Sequence, residues 1–163
     1  MEDTRLLTRL QRGERAAFED LWQRWRGAVW SVCVAMCAER SDAVALLQAV
    51  YGSLPRSVPG WAVPTPLCCH LGAHVFRVVH AQLELSPVVG IDVPTAGAVR
   101  VPDAATARDV LLRVEPHVRL VYLIDLFFHC PAPTLAQLLE LDANDLRHAR
   151  GMAAWRVIEG GAQ

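Results

Sequence analysis

Residues 18–37 have the sequence FEDLWQRWRGAVWSVCVAMC, in which apolar side chains recur every three or four positions. This spacing is typical of a helix that buries one face in a protein core. We therefore predict one long amphipathic helix here. Its predicted core positions are Phe18, Leu21, Trp22, Trp25, Val29, Val32, Cys33, Met36 and Cys37.

Shorter helical patterns lie on both sides of this segment. Asp3 or Thr4 is suited to cap a preceding helix, and Ser41 or Asp42 a following one. Residues 55–66 are rich in proline and glycine and predict a loop, after which helical spacing returns over residues 67–85. Residues 1–85 are therefore predicted to form a domain of four helices.

The second half of the chain begins with a predicted linker over residues 86–104, which contain three prolines and two glycines. Pro116 precedes the strongly apolar run of residues 118–128, and proline is favoured at the first position of a helix. Thr134 and Asp142 are suited to cap two further helices. The sequence thus predicts an all-α protein with two small helical domains, residues 1–85 and 105–163.

Composition limits the classes of function. Of the 163 residues, 53% are hydrophobic and 20% are charged, which excludes wholesale disorder. The 16 basic residues are all arginine, and with 17 acids the net charge is −1, so bulk attraction to nucleic acid or membrane is not supported. The longest uncharged stretch, residues 57–76, contains several prolines and glycines, so it cannot form one membrane-spanning helix. The acidic N-terminus and the odd number of cysteines predict a cytoplasmic protein with reduced thiols.

Four short segments resemble the sigma factors of the extracytoplasmic-function type, within the sigma-70 family. They are GERAAFEDL at 13–21, SDAVALLQAVY at 41–51, PHVRLVYL at 116–123 and LAQLLEL at 135–141. The resemblance covers residues 3–85 and 105–158. It implies a region 2-like domain that docks on polymerase and melts DNA, and a region 4-like helix-turn-helix domain.

The resemblance also implies partners and site residues. The expected function is transcription initiation, by binding core RNA polymerase and promoter DNA, with an anti-sigma-like or other protein as a further possible partner. No enzymatic activity, cofactor or membrane association is expected. The residues implied for polymerase binding are Asp42, Leu46, Gln48 and Tyr51, and those implied for DNA binding are Trp61, Arg77, Asn144, Arg147, His148 and Arg150.

The chain departs from the family pattern at the contact positions. Val44, Ala45 and Ala49 stand where acids are expected, and residues 67–74, LCCHLGAH, lack the usual aromatic, arginine and asparagine. Arginines are also missing at Ala149, Met152 and Ala154, and Glu140 replaces the turn glycine. These departures favour a second hypothesis, a sigma-like interaction module that has lost promoter recognition and binds a protein through apolar helix faces.

The cysteines and histidines leave an alternative open. Cys33 and Cys37 are four residues apart, and with two of Cys68, Cys69, His70 and His74 they could form a zinc site. Without a CxxC motif, packed thiols are the favoured interpretation, and no metal site is predicted. A catalytic Cys–His pair is not supported either, since no nucleophile turn or phosphate-binding motif is present.

Overall fold

The computed structural model describes residues 2–85, 111–142, 144–148 and 151. Its helices are α1 (Glu2–Gln11), α2 (Arg15–Met36), α3 (Arg40–Ser57), a short 3-10 turn (Val58–Gly60), α4 (Leu67–Gln82), α5 (Pro116–Phe128) and α6 (Ala132–Leu139). Residues 111–113 and 144–148 are also helical. No strand occurs in these ranges, so the all-α prediction is confirmed. None of the described helices has the length and apolarity to cross a membrane.

The long helix predicted from residues 18–37 is α2, which lies at the centre of the core. Helices α1, α3 and α5 pack against it, and α4 packs against α3, α5 and α6. Burial of apolar surface in this arrangement is the main favourable term in folding. The buried side chains of α2 are Ala17, Leu21, Val29, Val32, Cys33 and Met36.

Helices α4 and α5 approach each other closely at Gly72. A Cβ atom on Gly72 would lie 3.2 Å from Cβ of Phe128 and 3.4 Å from Cγ2 of Ile124. The Phe128 ring in turn stacks on Trp25 of α2, with ring centroids 5.7 Å apart. The described parts of the two predicted domains therefore share one hydrophobic core. The domain boundaries themselves remain a prediction, because the linker 86–104 lies outside the described residues.

Two predicted helix caps are wrong. Asp3 and Thr4 lie inside the first turn of α1, and Ser41 and Asp42 lie inside the first turn of α3. Acidic side chains in a first turn are stabilised by the helix dipole without acting as caps. The sequence signal for a helix start is thus present, but displaced by two or three residues.

The loop predicted over residues 55–66 begins later than expected. Helix α3 continues through Pro55 to Ser57, and the 3-10 turn follows it directly. Leu54 and Val58, on either side of this bend, are 1% and 0% exposed. Burial of these two side chains offsets the cost of a proline in the last turn of a helix.

The caps of the second half are partly as predicted. Thr134 does not cap α6, which starts at Ala132, because Pro133 is compatible with a first helical turn. Asp142 is confirmed as a cap. Its Oδ1 accepts hydrogen bonds from the backbone N–H of Asn144 at 2.6 Å and of Asp145 at 3.3 Å.

The turn after α6 predicts a stabilising substitution. Glu140 has φ 57°, and the N–H of Leu141 donates to the Ala136 carbonyl at 3.0 Å, which is a Schellman-type helix end. We expect Glu140→Gly to raise the free energy of unfolding by about 1 kcal/mol, because a left-handed conformation costs a non-glycine residue about that much. Urea denaturation measures this, with Glu19→Gly inside α2 as the control, which is expected to lower it by about 1 kcal/mol. A lower stability of Glu140→Gly would contradict the assigned turn.

Candidate functional site

The four residues implied for polymerase binding divide between the surface and the core. Asp42 and Gln48 are exposed on α3. Leu46 is only 4% exposed and belongs to the hydrophobic core. The half-buried Tyr51 places its ring edge against Trp22 with centroids 4.2 Å apart. A partner that approaches α3 therefore meets Asp42 and Gln48, whereas Leu46 is not accessible and Tyr51 is engaged within the protein.

Two apolar side chains are exposed on α3 between Asp42 and Gln48. Val44 is 39% exposed, and Ala45 beside it is also exposed. We define the docking surface as Asp42, Val44, Ala45 and Gln48. The helical spacing of Leu46 with Ala43 and Val50 already places it on the buried face, which the family resemblance alone did not show.

The aromatic residue implied for DNA binding, Trp61, lies in the core. It is 5% exposed, and its ring stacks on His70 with centroids 5.4 Å apart and planes 4° apart. Its carbonyl accepts a hydrogen bond from Gln11 Nε2 at 2.8 Å. An aromatic side chain that binds single-stranded DNA must offer a face to a base. The Trp61 side chain instead fixes the loop before α4.

Helix α4, for which the family resemblance implies promoter melting, is largely covered. Ten of its 16 residues are buried, among them His70, Gly72 and His74. Helices α3, α5 and α6 pack around it. Its one arginine, Arg77, is exposed and donates from Nη2 to the carbonyl of Leu138 in α6. The Arg77 guanidinium, which a DNA-binding role would place on a phosphate, therefore contacts the end of α6.

In the segment that the resemblance implies to be region 4-like, α6 is followed by a turn and then by the helical residues 144–148. Leu146 is 1% exposed and anchors the second helix to the core. Asn144 and Arg147 are exposed and contact each other through Oδ1 and Nη2. His148 is half-buried, and Arg150 lies outside the described residues. Of the DNA candidates in this segment, the structure brings Asn144 and Arg147 together on one surface.

Two acids flank that surface. Asp142 and Asp145 are both exposed at the start of the second helix, next to Asn144. Phosphate groups are repelled by carboxylates, and phosphate contacts supply most of the affinity in non-specific DNA binding. The electrostatics of this helix start therefore oppose DNA binding.

A broad depression of about 950 Å³ between α1 and α2 contains several arginines. Arg9 forms ion pairs with Glu14 at 2.9 Å and with Asp20 at 2.8 Å, and Arg24 pairs with Asp3 at 2.6 Å. These pairs neutralise much of the local positive charge. The depression is consequently a poor candidate for a nucleic-acid groove.

Four of the five cysteines are buried, and Cys68 is half-buried. Cys33 lies on α2 and Cys37 directly follows that helix, and burial raises the pKa of Cys33 to about 12. Burial also raises the pKa of Cys69 and of Cys130. Thiols with raised pKa values hold little thiolate, which is the form that attacks substrates or binds metals.

The histidines of the zinc hypothesis are engaged with the backbone. His70 Nε2 lies 2.8 Å from the Ala62 carbonyl oxygen, and His74 Nε2 lies 3.0 Å from that of Val50. Across the described ranges, no group of three His, Cys, Asp or Glu side chains could hold a metal ion.

A buried arginine that sequence analysis missed connects the two segments. Arg119 of α5 is 5% exposed, and its Nη1 donates to the Ala35 carbonyl in the last turn of α2 at 3.1 Å. Its Nη2 donates to the carbonyl of Val114 at 3.3 Å. A cation is favourable at a helix C-terminus, where carbonyl groups lack intrahelical partners. In the sequence, nothing distinguishes Arg119 from an exposed arginine.

Comparison with known proteins adds no family to these observations. No protein-family model matches the sequence, and no curated protein is significantly similar to it.

Proposed function

We propose that the chain is a sigma-like regulator of transcription, which binds core RNA polymerase through the docking surface on α3 and does not read a promoter through α4. The coverage of α4 by α5 and α6 is the observation that carries this proposal. A sigma-like protein in this state can offer α3 to a protein while its DNA-facing helix is enclosed.

The docking surface has the character of a protein-binding site. Its exposed Val44 and Ala45 supply apolar contact, and Asp42 and Gln48 supply polar groups at the rim. Interfaces commonly combine an apolar centre with a polar rim. The family resemblance supports core RNA polymerase as the partner, because the corresponding helix of sigma factors docks on the polymerase clamp.

The surroundings of the residues implied for DNA binding support the second part of the proposal, that the chain does not read a promoter through α4. Trp61 is buried, Arg77 contacts the Leu138 carbonyl, and Arg147 contacts Asn144 beside two acids. Single-stranded DNA binding needs a positive groove with exposed aromatic side chains. The described part of the chain offers neither near α4.

Charge reversal on α3 tests the proposed docking. We expect Asp42→Arg to weaken binding of the full chain to purified core RNA polymerase by at least about tenfold. The reason is that a positive side chain then replaces the negative one that is proposed to attract the polymerase surface. The salt dependence of binding should also become shallower. Biolayer interferometry at two salt concentrations measures both effects.

The matched control is Glu19→Arg, which makes the same charge change on α2, where Glu19 pairs with the exposed Arg15 at 3.1 Å. This variant is expected to bind polymerase like the unmodified protein. Circular dichroism verifies that both variants fold, since Asp42 also stabilises the first turn of α3. Equal binding by Asp42→Arg and the unmodified protein would refute docking through α3.

A further inference from the structure

A cavity of about 240 Å³ lies where α4 meets α5 and the end of α6. We call it the junction cavity. Three of its six lining side chains carry basic nitrogen, three are apolar, and none is acidic. They are Arg77, His80 and His117, and Phe76, Leu139 and Leu141.

Three aromatic rings in the cavity wall hold one another in place. The His117 ring lies edge-on to Phe76 at 5.7 Å and to His80 at 5.5 Å between centroids. Phe76 and His80 stack at 5.6 Å. Side chains that are ordered before a ligand arrives lose little entropy on binding. The two imidazoles are thus preorganised.

His117 contributes an imidazole to this wall. The residue is 6% exposed, and its Nδ1 is buried without a hydrogen-bond partner among the described residues. A neutral imidazole has one N–H donor, for which an anionic oxygen is a strong acceptor.

Arg77 adds a fixed cation at the same cavity. Its Nη2 donates to the carbonyl of Leu138, which orients the guanidinium at the junction. A guanidinium has five N–H donors in a planar fork, a shape suited to a carboxylate. Phe76, Leu139 and Leu141 line the rest of the cavity and suit an apolar body.

The nearby acids do not line the cavity. Glu115 and Asp145 interact electrostatically with His117, whose pKa is lowered by burial first and by His80 second. The carboxylate of Glu115 accepts a hydrogen bond from the Val118 N–H at 2.9 Å, and is therefore used as a helix cap. Neither acid stands where a ligand would contact Arg77.

We propose that the junction cavity binds a small apolar carboxylate. The carboxylate lies between Arg77 and the imidazoles of His80 and His117, and the apolar body contacts Phe76, Leu139 and Leu141. The cavity is smaller than the roughly 300–1,000 Å³ of sites for drug-sized ligands, so a single-ring acid suits it. This site is independent of the proposed polymerase binding.

Benzoate is the probe for this site, and benzamide is its neutral control of the same shape. Isothermal titration of the full chain is expected to show binding of benzoate and at least about tenfold weaker binding of benzamide, because an ionised acceptor forms the stronger hydrogen bonds. Equal affinity for the two probes, or no binding of benzoate, would overturn the proposal.

A pair of variants and one spectroscopic measurement locate the site. Arg77→Gln is expected to weaken benzoate binding by about tenfold or more, whereas Arg56→Gln, the same charge change on α3, should leave it unchanged. In the unmodified protein, an NMR titration should show that benzoate shifts the imidazole ring resonances of His117 and His80. If benzoate leaves both sets of resonances unmoved, or if Arg77→Gln binds it normally, the site is not the junction cavity.

Discussion

Phe128→Ala is expected to lower the free energy of unfolding by about 3–5 kcal/mol, the usual cost of truncating a buried phenylalanine. Phe128 is 1% exposed, stacks on Trp25 and lies against Gly72. The cavity left behind would adjoin α2, α4 and α5 together. Urea denaturation followed by tryptophan fluorescence and by circular dichroism measures the loss.

Leu126→Ala is the control for this prediction. Leu126 lies two residues away on the same helix and is 44% exposed, so its truncation should change stability by no more than about 0.5 kcal/mol. Similar losses for the two variants would mean that α5 does not pack on α2 and α4 as described.

Stability is expected to fall as the pH decreases below about 6.5, the ordinary pKa of histidine. Burial lowers the pKa of His74 and of His117 in the folded protein. Both histidines remain neutral when folded and take up protons when unfolded, so the unfolded state binds more protons in acid. Each can contribute a slope of up to about 1.4 kcal/mol per pH unit below pH 6.5 and above its own folded pKa.

Chemical denaturation at several pH values between about 5 and 8 measures this slope. The double variant His74→Gln with His117→Gln should flatten it, because both titrating groups are then removed. His129→Asn is the control, since His129 is exposed at the end of α5 and its left-handed conformation suits asparagine. A stability that rises on acidification would contradict the buried neutral histidines.

Helical periodicity was sufficient to predict the class of fold. The apolar stripe of residues 18–37 became α2, and Pro116 began α5 as expected. Helix boundaries were less predictable, because α3 passes through Pro55 when Leu54 and Val58 gain burial. Local signals such as prolines compete with tertiary packing, which the sequence does not display.

The candidate site was only partly predictable. Asp42 and Gln48 are exposed as a docking role requires, but the position of Trp61 could not be deduced, because loop residues follow no periodicity. The packing of α4 on α5 depends on the absence of a side chain at Gly72, and the role of Arg119 depends on the end of α2. Both are long-range features that no local pattern indicates.

The proposed function requires that α4, the helix for which the resemblance implies DNA contact, is enclosed and that α3 is left for a protein partner. Fluorescence anisotropy of the full chain with labelled single-stranded and duplex DNA tests it most directly. At physiological salt we expect dissociation constants no tighter than about 10⁻⁴ M, the weak end of non-specific binding. Micromolar binding that is lost in Arg77→Ala or Arg147→Ala would contradict the claim and support a promoter-reading initiator.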